Sequence, residues 1–165
     1  MPEVRVATAE DLETIWNRNL AEHPQDLRWC AWKEEYIAIN RSGDAVTFVV
    51  VCDGEPVGEG TLLLSPSCSA IGGRTVLADG KRTANVNALR ICKAYERNGY
   101  VSAMVRKMER YAAALGYTRL TIGVEAKETR NLAIYLHWGY TEFLMSELEE
   151  GELVLYYGKN LPAAQ

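Results

Sequence analysis

The feature that most constrains this chain is a strand, a helix and a second strand in close succession. Residues 83–91 alternate Ala, Asn, Val, Asn, Ala and Leu, a period of two that reads as a strand. In residues 99–115, Val101, Met104, Val105, Met108, Ala112 and Leu115 fall on one helical face, and Gly116 is the stop. Residues 120–124 read as a strand again. A strand–helix–strand run of this length closes as a right-handed parallel crossover, which commits the chain to a mixed sheet covered by helices.

The other elements follow from local signals. Val4-Arg5-Val6 is a short strand, and Thr8 with Asp11 three residues on is a variant capping box. Leu12, Ile15, Trp16 and Leu20 carry the first helix to about Glu22, where Pro24 breaks it. Trp29, Trp32, Tyr36, Ile37 and Ile39 predict a second helix that ends near Ser42-Gly43. The β-branched run 45–52, the Asp53-Gly54 turn and residues 57–64 form a hairpin. Residues 65–81 read as a loop holding a short strand at 75–77. A short helix over 129–138 ends at Gly139, and strands over 141–148 and 153–157 flank Glu149-Glu150-Gly151.

Composition narrows the class. A chain of 165 residues is expected to be one domain, 1–165, able to bury roughly 70% of its unfolded surface without disulfides or metal. The net charge of −4, from 18 basic and 22 acidic residues, argues against a nucleic-acid partner. The longest apolar strand-like run, 45–52, falls far short of the ~20 residues of a membrane span. The first residues lack a basic segment followed by an apolar one, so a cytoplasmic location is expected. Four scattered cysteines without C-x-x-C, and two histidines, predict reduced thiols and no metal site.

Charge is uneven. Residues 90–110 hold six basic side chains (Arg90, Lys93, Arg97, Arg106, Lys107, Arg110) against Glu96 and Glu109, an excess of 6 − 2 = +4. The remainder is therefore −4 − 4 = −8. A strand-to-helix turn containing Gly99 presents unpaired N–H groups that suit an anion such as a pyrophosphate. A solvated helix face explains the same charges.

Residues 131–143, with Asn131, Ala133, Tyr135, Gly139 and Tyr140, resemble the second signature of the GNAT superfamily of acyl-CoA-dependent N-acetyltransferases. Leu89, Ile91, Tyr95, Gly99, Tyr100, Ser102 and Ala103 resemble its motif for the coenzyme A pyrophosphate. The resemblance covers nearly the whole chain. It implies a GNAT-like α/β (α+β) fold, a mixed and mostly antiparallel sheet of six to seven strands flanked by about four helices. It also implies transfer of an acetyl group from acetyl-CoA to a primary amine of a small molecule or protein, with no membrane partner and a homodimer allowed. Coenzyme A is then expected along Leu89, Arg90 and Ile91, on Arg97, Asn98, Gly99, Tyr100, Val101 and Ser102, and beside Asn131 and Tyr135. Tyr135 matches the family tyrosine that protonates the departing thiolate. Asn131 matches a pantetheine contact and equally suits a helix N-cap. A backbone N–H near Ile91 matches the group that binds the thioester oxygen. Glu96, Val101 and Lys93 depart from the family pattern. They carry the alternative of a degenerate, non-catalytic module that binds acyl-CoA or an amine.

The implied reaction needs a base. An amine of pKa ~10.4 is neutral in about one molecule in 2,500 at pH 7, a cost of roughly 4.6 kcal/mol. Glu59 and Glu125 are the candidate bases, each equally at home as a solvated carboxylate. Asn85 and Asn87 cannot take a proton but can hold a water or the acceptor. Trp29 and Trp32 can line an acceptor pocket or pack in the core. Glu22, Asp26 and Glu34 can attract a cation. His137 reads as packing or surface.

Overall fold

A computed structural model describes residues 2–163. Its elements run β1 (Glu3–Val6), α1 (Ala9–Glu22), α2 (Arg28–Ser42), β2 (Ala45–Cys52), β3 (Glu55–Leu63), β4 (Thr83–Ile91), α3 (Tyr100–Ala114), β5 (Arg119–Glu125), α4 (Thr129–His137), β6 (Glu142–Glu149) and β7 (Glu152–Asn160). This is the order the sequence predicts. The seven strands are arranged β1-β2-β3-β4-β5-β7-β6. The β4–β5 pair is parallel, and it is the pair that α3 connects. Among the described residues no helix is long and apolar enough to cross a membrane.

The chain forms two compact units. One holds the residues up to Leu62 together with Ala88–Met108. In it β1 pairs antiparallel with β2, Glu3 opposite Val51. Asp53 and Gly54 take φ of 51° and 80°, the left-handed pair a tight hairpin turn needs. Thr8 and Asp11 cap α1 reciprocally, as the sequence predicts, and Arg5 adds an ion pair to Asp11. Leu12, Ile15, Trp16, Phe48, Val50, Leu62, Met104 and Met108 are buried. Gly60 makes this packing possible. A Cβ there would lie 2.7 Å from Leu89 and 3.0 Å from Met104, so only glycine lets these side chains approach β3.

The other unit holds Leu63–Asn87 and the residues from Glu109 onward. Thr83 to Val86 pair in parallel with Arg119 to Ile122. β5 pairs antiparallel with β7, and β7 with β6, around a core that includes Leu77, Val86, Leu120, Ile122 and Tyr140. Residues 75–77 are not the expected strand. The N–H groups of Leu77 and Ala78 bond Arg74 O, which curls the segment into a turn. The last two strands run further than predicted, because Glu150 and Gly151 at φ 52° and 82° let the ladder continue to the turn itself. All four cysteines are free; Cys30 is exposed and Cys52 and Cys68 are buried.

Candidate active site

Glu59 is the least expected side chain in the first unit. It lies in the middle of β3 and is only 4% exposed, where a carboxylate must find partners or lose its charge. Arg90 Nη1, near the end of β4, donates to its Oε1 at 2.8 Å, and Asn19 Nδ2 on α1 donates to its Oε2 at 3.2 Å. Burial nevertheless outweighs these partners and holds the Glu59 pKa above the ordinary carboxylate value. Arg90 is itself held by aromatic faces, 4.9 Å from the Trp29 ring centroid and 5.5 Å from that of Trp16. His23 stacks on Trp29, the ring centroids 3.8 Å apart and the planes nearly parallel.

Glu59 and Arg90 line a small open cleft together with Ile15, Arg18, Glu22 and Ile91. Arg18 Nη1 donates to Pro56 O at 2.8 Å and to Cys92 Sγ at 3.1 Å. The end of β4 is fixed beside β3 by the bond from Cys92 N to Val57 O, 2.8 Å. Alternation along a strand turns the N–H of the preceding residue, Ile91, to the opposite edge.

The turn into α3 follows directly. Residues 93–95 form a short 3₁₀ turn, and Arg97 and Gly99 take positive φ of 64° and 74°. Glu96, Arg97, Asn98 and Gly99 are exposed, and a Cβ on Gly99 would meet nothing within 4 Å. Asn98 Nδ2 is spent on the carbonyls of Tyr95 and Glu96. Tyr100, Val101 and Ser102 open the helix, whose first N–H groups have no partner within it. Arg106 Nη1 donates to Ser102 Oγ at 2.7 Å. The basic stretch is thus dispersed: Lys93 and Arg97 flank the turn and Arg106 the first helical turn, while Lys107 bonds Val4 O and Arg90 serves Glu59.

In the second unit, Tyr135 lies half-buried on α4, its ring 5.5 Å from that of Trp138. Burial, with the nearby Glu128 charge, raises its pKa, so the phenol keeps its proton at neutral pH. Asn131 is not an N-cap. It is inside α4, with Nδ2 on Glu128 Oε2 at 2.6 Å, while Glu128 occupies the cap position. Asn85 is buried, donating to Thr121 Oγ1, which in turn donates to Leu77 O, each at 2.8 Å. Asn87 lies two residues further along β4. Glu125 closes β5, half-exposed, 3.7 Å from Lys127.

The structure therefore brings Glu59, Arg90, Ile91 and Trp29 together. Leu89 neighbours them on β4. Trp32 packs edge-on to Trp29 with Arg28 over its ring. Arg90, expected along the cofactor, pairs its side chain with Glu59. Asp26 pairs with Arg28, which holds its carboxyl down at about 2. Arg18 and Asn19 were missed by sequence reasoning. Asn19 had left a signal: it follows Ile15 by four residues and Trp16 by three, a polar residue on the buried stripe of α1.

A model of the acetyltransferase (GNAT) family matches residues 6–140. No curated protein matches the chain at a significant level. Among solved structures, an N-acetyltransferase from Staphylococcus aureus shares 15% identity at a TM-score of 0.70, with 98% of this chain and 99% of that one covered. The ribosomal-protein-alanine N-acetyltransferase from Brucella melitensis gives 14% and 0.70, covering 96% and 99%. The PaiA N-acetyltransferase from Thermoplasma acidophilum, in complex with coenzyme A, gives 16% and 0.63, covering 95% and 98%. At these identities the likeness is one of fold.

Proposed function

This chain belongs to the GNAT acetyltransferase family, and we propose that it transfers an acetyl group from acetyl-CoA to a primary amine, with Glu59 as the base. The observation that carries this reading is a buried carboxylate of raised pKa in a cleft that also contains the end of β4. A base poised above the usual carboxylate range is better matched to an ammonium proton at neutral pH. Either oxygen of Glu59 keeps lone pairs beyond those used by Arg90 and Asn19, so it takes the amine proton directly or through one water.

The residues present fit an acyl-CoA. The open turn at Gly99, the first N–H groups of α3 and exposed Arg97 and Lys93 suit a diphosphate, and exposed Glu96 is free to turn into solvent. When bound, acetyl-CoA supplies the thioester. The chain's share is to hold it at 97–102, with Leu89 on its arm, and to offer the Ile91 N–H to the acyl oxygen. For Asn131 and Tyr135 the family resemblance alone supports roles at the arm and as proton donor to the departing sulfur. Placing both reactants supplies much of the remaining acceleration. A cytoplasmic setting and a small-molecule or protein amine fit this reading, since one structural neighbour is named for a ribosomal-protein alanine.

The test is calorimetry with acetyl-CoA and thiol release across a panel of amines. Binding and amine-dependent thiol release are expected, with Glu59→Gln lowering kcat/KM by about 10²–10⁴ while acetyl-CoA affinity holds. No binding at millimolar acetyl-CoA overturns the enzyme. Binding without thiol release for any amine points to the non-catalytic module.

A further inference from the structure

We propose that the acceptor is a small amine that also carries a carboxylate, an amino acid, with its carboxylate on Arg18 and its amine at Glu59. This deepens the acetyltransferase reading and rests on it. The cleft contains two guanidinium groups, Arg18 and Arg90, and one buried carboxylate, Glu59. Arg90 and Glu59 are paired with each other at 2.8 Å. Arg18 has no carboxylate partner among the described residues, although it lies close enough to act on the Glu59 charge. It is nonetheless held in place. Pro56 O and Cys92 Sγ both accept from its Nη1, which fixes the plane of the guanidinium and leaves Nε and Nη2 for a ligand. A guanidinium set in this way presents parallel donors that match a carboxylate.

Charge selects the same class. Arg18, Arg90, Glu59 and Glu22 sum to zero around the cleft, but Arg90 and Glu59 pair with each other and Glu22 is exposed, so Arg18 is the charge left to meet a ligand. A diamine or other purely cationic acceptor adds positive charge beside two guanidinium groups. An amino acid brings a carboxylate that Arg18 can pair and an ammonium that Glu59 can discharge. The cleft offers Ile15 and Val57 to an aliphatic side chain.

The experiment compares, for several amino acids, the acid, its amide and its decarboxylated amine as acceptors with acetyl-CoA. The acid is expected to exceed both in kcat/KM by at least about tenfold, as a charge-assisted bond to arginine allows. The difference should lie mainly in KM. Arg18→Gln should abolish the preference, raising KM for the acid about 10- to 100-fold more than KM for the amide, and Arg18→Lys should restore part of it. Amides or simple amines used as well as the acids overturn the proposal, as does Arg18→Gln acting equally on acid and amide. If nothing is acetylated, calorimetry of the same ligands with coenzyme A present decides separately. Acid-selective binding that Arg18→Gln removes upholds the subsite while acetyl transfer fails; binding of neither, or of both alike, overturns the subsite.

Discussion

Each unit of this protein buries a carboxylate against a cation, and the two pairs have opposite uses. In the second unit Glu109 on α3 accepts from Lys159 Nζ with both oxygens at 3.0 Å and from the Tyr140 hydroxyl at 2.9 Å. Lys159 also donates to Trp138 O at 2.8 Å, and Tyr140 is fully buried with its pKa raised by burial and by Glu109. Every charge there is answered by the protein, so the cluster ties α3, the end of α4 and β7 together. In the first unit Glu59 is more buried, 6% exposed in its side chain against 14% for Glu109. Yet it borders a cleft, and a second guanidinium beside it, Arg18, has no carboxylate partner among the described residues. A saturated polar network builds structure, whereas one left a ligand short is positioned to do chemistry.

The strongest way to break this contrast is a pair of substitutions. Glu59→Gln should cost two to four decades of turnover, about 10²–10⁴ in kcat/KM, with a smaller change in stability. In the parent enzyme kcat/KM should fall on the acid side through the raised Glu59 pKa, because the base must be ionised, and the variant should lose that limb of the pH–rate profile. Glu109→Ala should do the reverse. It strands Lys159 and is expected to cost roughly 3 kcal/mol in urea unfolding, with turnover per folded molecule preserved. A loss of turnover without a loss of stability in Glu109→Ala would erase the distinction.

Smaller effects sharpen it. Gly60→Ala should cost about 1–3 kcal/mol, because its Cβ meets Leu89, Met104 and Met108 at 2.7, 3.0 and 3.2 Å. Thr8→Ala, which removes one half of the α1 capping box, should cost about 1 kcal/mol by thermal unfolding. The least effect is expected at Asp79. Burial works to raise its pKa, but the N–H groups of Thr83, Arg82 and Lys81, each at 2.9 Å, outweigh it and hold the carboxyl below its ordinary value. Its stabilisation is present above the unfolded carboxylate pKa of ~3.9 and is lost as pH falls through the lower folded value. Asp79→Asn should therefore flatten the stability curve only at the acid end, measured by denaturant unfolding from pH 7 to 2.

Much of the fold is legible because its signals are local. The period of α3, the Asp53-Gly54 turn and the Thr8–Asp11 cap each act within a few residues. The segment 75–77 misled for the reciprocal reason: Thr-Val-Leu has strand propensity, but its N–H groups found Arg74 O before any neighbouring strand. The site was half legible. Glu59 was one of two candidate bases, and sequence alone favoured a solvated reading for both. Arg90 begins the basic stretch and was expected along the cofactor, and charge counting could not show that its side chain pairs with Glu59.

What the sequence by itself determined is the order of elements, the turns between them and the presence of a strand-to-helix turn with exposed N–H groups. These depend on hydrophobic period, on glycine at positive φ and on caps, all properties of neighbours along the chain. Only the tertiary structure decided that Glu59, Asn19, Arg90 and Arg18 meet. Those four come from β3, α1 and β4, separated by up to 90 − 18 = 72 positions between Arg18 and Arg90. No local pattern encodes such a meeting, because the energy that fixes it is the burial of the apolar residues around them, and the charges follow where that packing takes them.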